Sequence, residues 1–135
     1  MKDLLKALEA LRGYRFILWR YHKSHSELTI RAEHPDKPGH NVHIHFVDVY
    51  YIQMPTGWIG DFELGSESEF KEVLRKAWLQ GSPEVREIFT LFKADTPNDV
   101  VYILGSLSHL EYDVEPIYTP TLPLERKEGK EADQG

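Results

Sequence analysis

A chain of 135 residues with a formal net charge of −6 fits one domain, long enough to bury a core without covalent staples. It has no cysteine, which excludes disulfides, iron–sulfur clusters and thiolate zinc sites. Residues 1–46 hold eight Lys/Arg and five Asp/Glu, a balance of +3, whereas residues 47–135 hold eight and seventeen, a balance of −9. Such a chain is a poor binder of phosphate backbones, which need clustered cations, so no nucleic-acid partner is expected. No stretch approaches the roughly 20 apolar residues of a membrane span, and Met1-Lys2-Asp3-Leu4 does not read as a signal peptide. A soluble, cytoplasmic protein without a membrane partner is the expectation.

Leu4, Leu5, Leu8 and Leu11 fall on one helical stripe, which predicts a helix over 2–12 stopped by Gly13. Tyr14 to Tyr21 is rich in aromatic and β-branched residues and reads as a strand. Ser26 to His34 alternates as a second strand, with Leu28, Ile30 and Ala32 against Glu27, Thr29, Arg31 and Glu33. Pro35-Asp36-Lys37-Pro38-Gly39 is a turn, and a third strand runs from His40 to about Gln53. Residues 55–60 read as a loop and 61–64 as a short strand. Ser66 with Glu69 forms a capping box ahead of a helix over 67–80, with Phe70, Val73, Leu74, Ala77 and Trp78 on its apolar stripe and Gly81 ending it. Ser82-Pro83-Glu84 opens a further helix over 83–93, with Val85, Ile88, Phe89 and Phe92 on its stripe. Val100 to Leu104 reads as a strand and Tyr112 to Tyr118 as another. Residues 1–118 are expected to form one globular domain, and 119–135, proline-rich and then charged, a disordered tail.

The fold expected is therefore α+β: an antiparallel meander of three to five strands, packed by an N-terminal helix and two central helices. Pairing His34 with His40 sets Ala32 on Val42, Ile30 on Ile44 and Leu28 on Phe46, so every apolar residue meets an apolar partner. In the first hairpin, pairing Tyr21 with Ser26 sets Trp19 on Leu28 and Ile17 on Ile30. That register puts Ile17 and Trp19 inside, and Phe16 and Leu18 on the outer face.

His40-Asn41-Val42-His43-Ile44-His45 places three of seven histidines in six residues. Histidine is the commonest metal ligand, and on a strand His43 and His45 share a face. His25 is the nearest further candidate ligand, with His34 and Glu27 also close in sequence. A zinc or other divalent site needs such a third ligand. The register sets His43 opposite Arg31 and His45 opposite Thr29, and a guanidinium beside a divalent cation is electrostatically unfavourable. Alternation alone also accounts for polar side chains at these positions.

Gly105-Ser106-Leu107-Ser108-His109 lacks the final glycine of a nucleophile elbow. Asp48 has the parity of an inward-facing residue, or marks a bulge. Tyr50, Tyr51, Met54 and Trp58 gather large side chains near a glycine-bearing loop and form a candidate contact surface, while Trp58 can equally plug the core. Phe16, Leu18, Val47, Val49 and Tyr51 make the outer face too apolar to be fully wetted, so a helix from 66–93 or a partner should cover part of it. No phosphate loop, dinucleotide fingerprint or EF-hand loop is present.

The function read from these features is a non-catalytic domain, regulatory or protein-binding, that takes a protein partner of basic character and needs no cofactor. In format (one acidic domain, no cysteine, no catalytic motif) the chain is similar to small bacterial toxin-immunity proteins. Two alternatives stand beside it. One is a metal-dependent enzyme or metal-binding protein using His43, His45 and His25. The other is a homodimer subunit that buries the outer sheet face against a second copy of itself.

Overall fold

The computed structural model describes residues 2–37, 39–79 and 84–114. Their elements run α1 (Lys2–Glu9), β1 (Arg15–His22), β2 (Glu27–Glu33), β3 (Asn41–Gln53), β4 (Gly57–Ile59), β5 (Phe62–Leu64), α2 (Glu67–Lys76), α3 (Val85–Ile88), β6 (Thr90–Asp95) and β7 (Val100–Val114). The seven strands form one antiparallel sheet in the order β4-β1-β2-β3-β7-β6-β5. This corrects the expected meander of three to five strands packed by three helices: the described residues are mostly curled sheet, with two short helices and the single helical turn α3.

The curl follows from one connection. β4 and β5 lie at opposite edges of the sheet, yet only Gly60 and Asp61 separate them in sequence. Consecutive Cα atoms are about 3.8 Å apart, so the two edges must come close, and the sheet rolls up. The inner face carries the main core: Phe16, Leu28, Ile30, Ala32, Val42, Ile44, Phe46, Phe62, Phe92 and Ile103, joined by Leu8 of α1 and Leu11 just after it. Phe16 stacks on Trp58 at 5.5 Å and meets the edge of Phe62 at 5.1 Å, which joins the two sheet edges through aromatic rings. The Trp58 indole N–H is buried without a hydrogen-bond acceptor among the described residues.

The second hairpin has the expected register, Leu28↔Phe46, Ile30↔Ile44 and Ala32↔Val42. The first does not. Phe16 pairs with Ala32 and Leu18 with Ile30, and a bulge at Trp19 restores Arg20↔Thr29. Phe16 and Leu18 therefore pack in the core, while Ile17 pairs with Arg31 on the outer side. The extra residue leaves parity intact nearer the turn and reverses it beyond, which no strict two-residue period can represent.

Two further expectations are corrected, and of the two readings of Asp48 the bulge holds. The helix expected over 83–93 ends at Ile88, and Phe92 is a buried strand residue. The run Ile88-Phe89-Thr90-Leu91-Phe92 is apolar, aromatic and β-branched, a composition that helical spacing alone does not discriminate. β7 continues unbroken through Gly105 to Val114 instead of stopping at Leu104. Asp48 is exposed at φ 51°, in a bulge where Asp48, Val49 and Tyr50 oppose the single residue Gly105. A Cβ on Gly105 would sit 3.1 Å from both the Val47 carbonyl oxygen and the Val49 Cα, so this position takes glycine for close approach.

α2 lies on the opposite side of the sheet from the main core. Its Val73 and Leu74 pack on Leu91 and Leu104, with Tyr51, Phe70, Leu79 and Phe89 around them. A helix from 66–93 does cover part of the outer face. The Ser66–Glu69 capping box is present, and α2 ends at Lys76, where Leu79 N–H donates to the Leu74 carbonyl and Trp78 N–H to that of Arg75. That bond pair is the Schellman closure, with Trp78 as its left-handed residue at φ 62°. Gly81, the strand over Tyr112–Tyr118 beyond Val114, and the tail 119–135 lie outside the described residues.

Candidate metal centre on the outer sheet face

The part of the outer face that α2 leaves open carries two cross-strand rows. Arg20, Thr29, His45 and His109 pair in sequence across β1, β2, β3 and β7. Arg31, His43 and Glu111 form the neighbouring row. Each side chain reaches this face because its strand alternates, and β7 delivers Glu111 beside residues far from it in sequence.

Glu111 is central. Its Oε1 accepts from His45 Nε2 at 3.2 Å, and His45 Nδ1 lies 3.1 Å from Thr29 Oγ1. A neutral ring that donates through Nε2 accepts at Nδ1, so the Thr29 hydroxyl donates. Arg31 Nη1 donates to His43 Nε2 at 3.1 Å, and Arg31 Nε donates to Glu33 Oε2 at the same distance. Arg31 is only 2% exposed, with its guanidinium carbon 4.6 Å from the centre of the Trp19 ring. Burial, aided by the Arg31 charge, pushes His43 down to about 4, so its imidazole is neutral at neutral pH. The His109 ring stacks on His45 at 4.4 Å.

One donor atom each from His43, His45 and Glu111 lies within 4.8 Å of the others. This is the donor set of a three-ligand zinc site that keeps its fourth position open. The expected third ligand, His25, sits instead on the exposed 3-10 turn Lys23–His25, its ring 6.4 Å from His22. The sequence does not bring Glu111 and His109 to this cluster, because the expected strand stops at Leu104 and β7 carries a bulge beside Ser108 that breaks its alternation. The electrostatic objection from Arg31 is weakened by two carboxylates: Glu33 on the guanidinium itself, and Glu111 inside the cluster.

The expected contact residues separate. Trp58 is buried in the core, Met54 packs half-buried against the same core, and Tyr51 is half-buried beside α2 with its hydroxyl donating to Gln53. Tyr50 is exposed and packs on Phe89 at 4.6 Å, next to exposed Ile88. The largest exposed apolar side chain among the described residues is Trp78, 91% accessible, which periodicity had assigned to the apolar stripe of its helix. No helix among the described residues is long and apolar enough to cross a membrane. No protein-family model, no curated protein and no solved structure matches this chain.

Proposed function

We propose that the protein binds a divalent transition-metal ion through His43, His45 and Glu111. The observation that carries this reading is the convergence of the three donors within 4.8 Å. Two details support it. Bonds of 2.0–2.1 Å in a tetrahedral zinc site separate neighbouring ligand atoms by about 3.3 Å, and His45 Nε2 already lies 3.2 Å from Glu111 Oε1. With Nε2 on the ion, His45 turns its Nδ1–H toward Thr29 Oγ1, the outer hydrogen bond that orients a ligating imidazole. If the ion takes His43 Nε2, it displaces Arg31, which keeps Glu33 and Trp19 as partners.

The test is calorimetry and thermal melting of protein freed of metal by chelation. Zinc or nickel should bind with one-to-one stoichiometry and raise Tm, since a ligand of the folded state stabilises it. His45→Ala should remove both effects, and Thr29→Val should weaken binding by about tenfold. Unchanged melting with either metal excludes the reading.

A second reading, a non-catalytic protein-binding domain, is favoured by Trp78. Tryptophan is enriched at contact hot spots, and here it stands exposed on a left-handed backbone that favours glycine. Tyr50 and Ile88, with Phe89 against Tyr50, form a separate exposed apolar group, and the exposed Asp48 and Glu87 next to them in sequence suit a basic partner. Trp78→Ala should lower affinity for an isolated partner by at least about tenfold while metal binding is unchanged. Loss of self-association in light scattering would identify that partner as a second copy of the chain. Equal affinity of the variant would exclude Trp78 from any interface.

A further inference from the structure

Beside the proposed metal centre lies a cleft of about 280 Å³ lined by Arg20, His22, Thr29, His45, Ser108 and His109, with Glu27 also on its wall. His45 belongs to both the cluster and the cleft, so an ion held by His45, His43 and Glu111 borders this space across the His45 ring. Three protein ligands leave the ion a fourth position. We infer that this position takes a small oxyanion, a carboxylate or a phosphate monoester, which the cleft binds together with the metal. The inference rests on the metal reading above.

The donors in the cleft support this assignment. Arg20 Nη1 points at His22 Nε2 from 3.5 Å, and a guanidinium can only donate, so the neutral His22 ring carries its proton on Nδ1. Ser108 Oγ lies 3.0 Å from His109 Nδ1. That contact, with the stacking on His45, holds the His109 ring in place on the cleft wall. Arg20 is the β1 neighbour of Thr29, which in turn pairs with His45, so its guanidinium stands two strands from the ion. An arginine fork matches the paired oxygens of carboxylate and phosphate.

Charge selects the sign of the ligand. In the cluster, Arg31 is matched by Glu33, and on the cleft wall Arg20 is matched by Glu27. A divalent ion opposite Glu111 then leaves one unbalanced positive charge, which attracts an oxyanion of either class. Without the metal, the same surface carries one surplus negative charge and repels the anion. Metal and anion should therefore bind cooperatively. The volume lies just below the range of about 300–1,000 Å³ typical of ligand pockets, which suits an oxyanion bearing only a few further atoms.

Cobalt(II) tests this directly, because its visible absorption reports the ligand set. Protein loaded with cobalt is titrated with inorganic phosphate in one arm and acetate in another, alongside metal-free protein. A saturable spectral change with phosphate alone, acetate alone or both supports the proposal and identifies the oxyanion class. Metal-free protein should show no binding of the same anion by calorimetry. Arg20→Ala should keep the cobalt spectrum and lose about tenfold in anion affinity, as expected for one charged hydrogen bond. Cobalt binding with no response to either anion overturns the proposal and leaves the metal reading standing. An unchanged anion affinity in Arg20→Ala, or anion binding independent of cobalt, overturns it as well. Absence of cobalt binding removes both.

Discussion

Trp78 bears two physical statements that meet in one side chain. Its backbone is left-handed at φ 62°, which costs an L-residue about 1–2 kcal/mol, and its indole is 91% exposed, so no burial offsets that cost. Trp78→Gly should therefore stabilise the domain by about 1 kcal/mol, raising Tm by about 3 °C in a thermal melt. A fall in Tm would show that the indole makes stabilising contacts within the chain, and the contact-surface reading would lose its support. The sequence displayed this residue on an apolar helical stripe. The stripe stops short of it because Leu79, not Trp78, folds back to pack on the cluster around Leu91 and Leu104.

At the level of elements, α2 is held by its N-terminus. Ser66 N–H donates to Glu69 Oε1 at 2.8 Å, Lys93 Nζ lies 2.9 Å from Glu69 Oε2, and the Tyr102 hydroxyl donates to the same oxygen at 2.9 Å. The Ser66 backbone bond, followed by Lys93 and Tyr102, pulls the Glu69 carboxyl down to about 2. A carboxyl with a lowered folded pKa binds fewer protons folded than unfolded between about 2 and its ordinary 4.5. Its contribution is present in full above 4.5 and is lost as the pH falls toward 2. Urea melts across that window should show wild type losing more stability than Glu69→Gln; parallel curves would contradict the assignment. The capping box was legible from Ser66 and Glu69, because capping is local chemistry. Lys93 and Tyr102 were not, since β6 and β7 bring them over the cap from 24 and 33 residues away.

For the whole molecule, the two-residue link Gly60-Asp61 is the hinge of the curl. A Cβ on Gly60 would lie 2.7 Å from the Asp95 carbonyl oxygen, a backbone atom that cannot turn aside. Gly60→Ala should cost about 1–3 kcal/mol, and Phe62→Ala, which empties the contact between the sheet edges, about 3–5 kcal/mol in denaturant unfolding. A Gly60→Ala variant as stable as wild type would mean that the edges are not held at this distance. The sequence by itself determined the strands β1 to β3, the capped start of α2 and the register of the second hairpin. Each depends on alternation or capping within a few residues, and one slip would expose a whole apolar face. Only the tertiary structure decided the roll of the sheet, the reversal of β1 at Trp19 and the meeting of His45 with Glu111, 66 residues away. Bulges erase the two-residue period, and pairing between distant strands is chosen by the total area it buries, a quantity no local window contains. Of the candidate metal centre, His43 and His45 were visible in the chain; their carboxylate partner was a product of the fold.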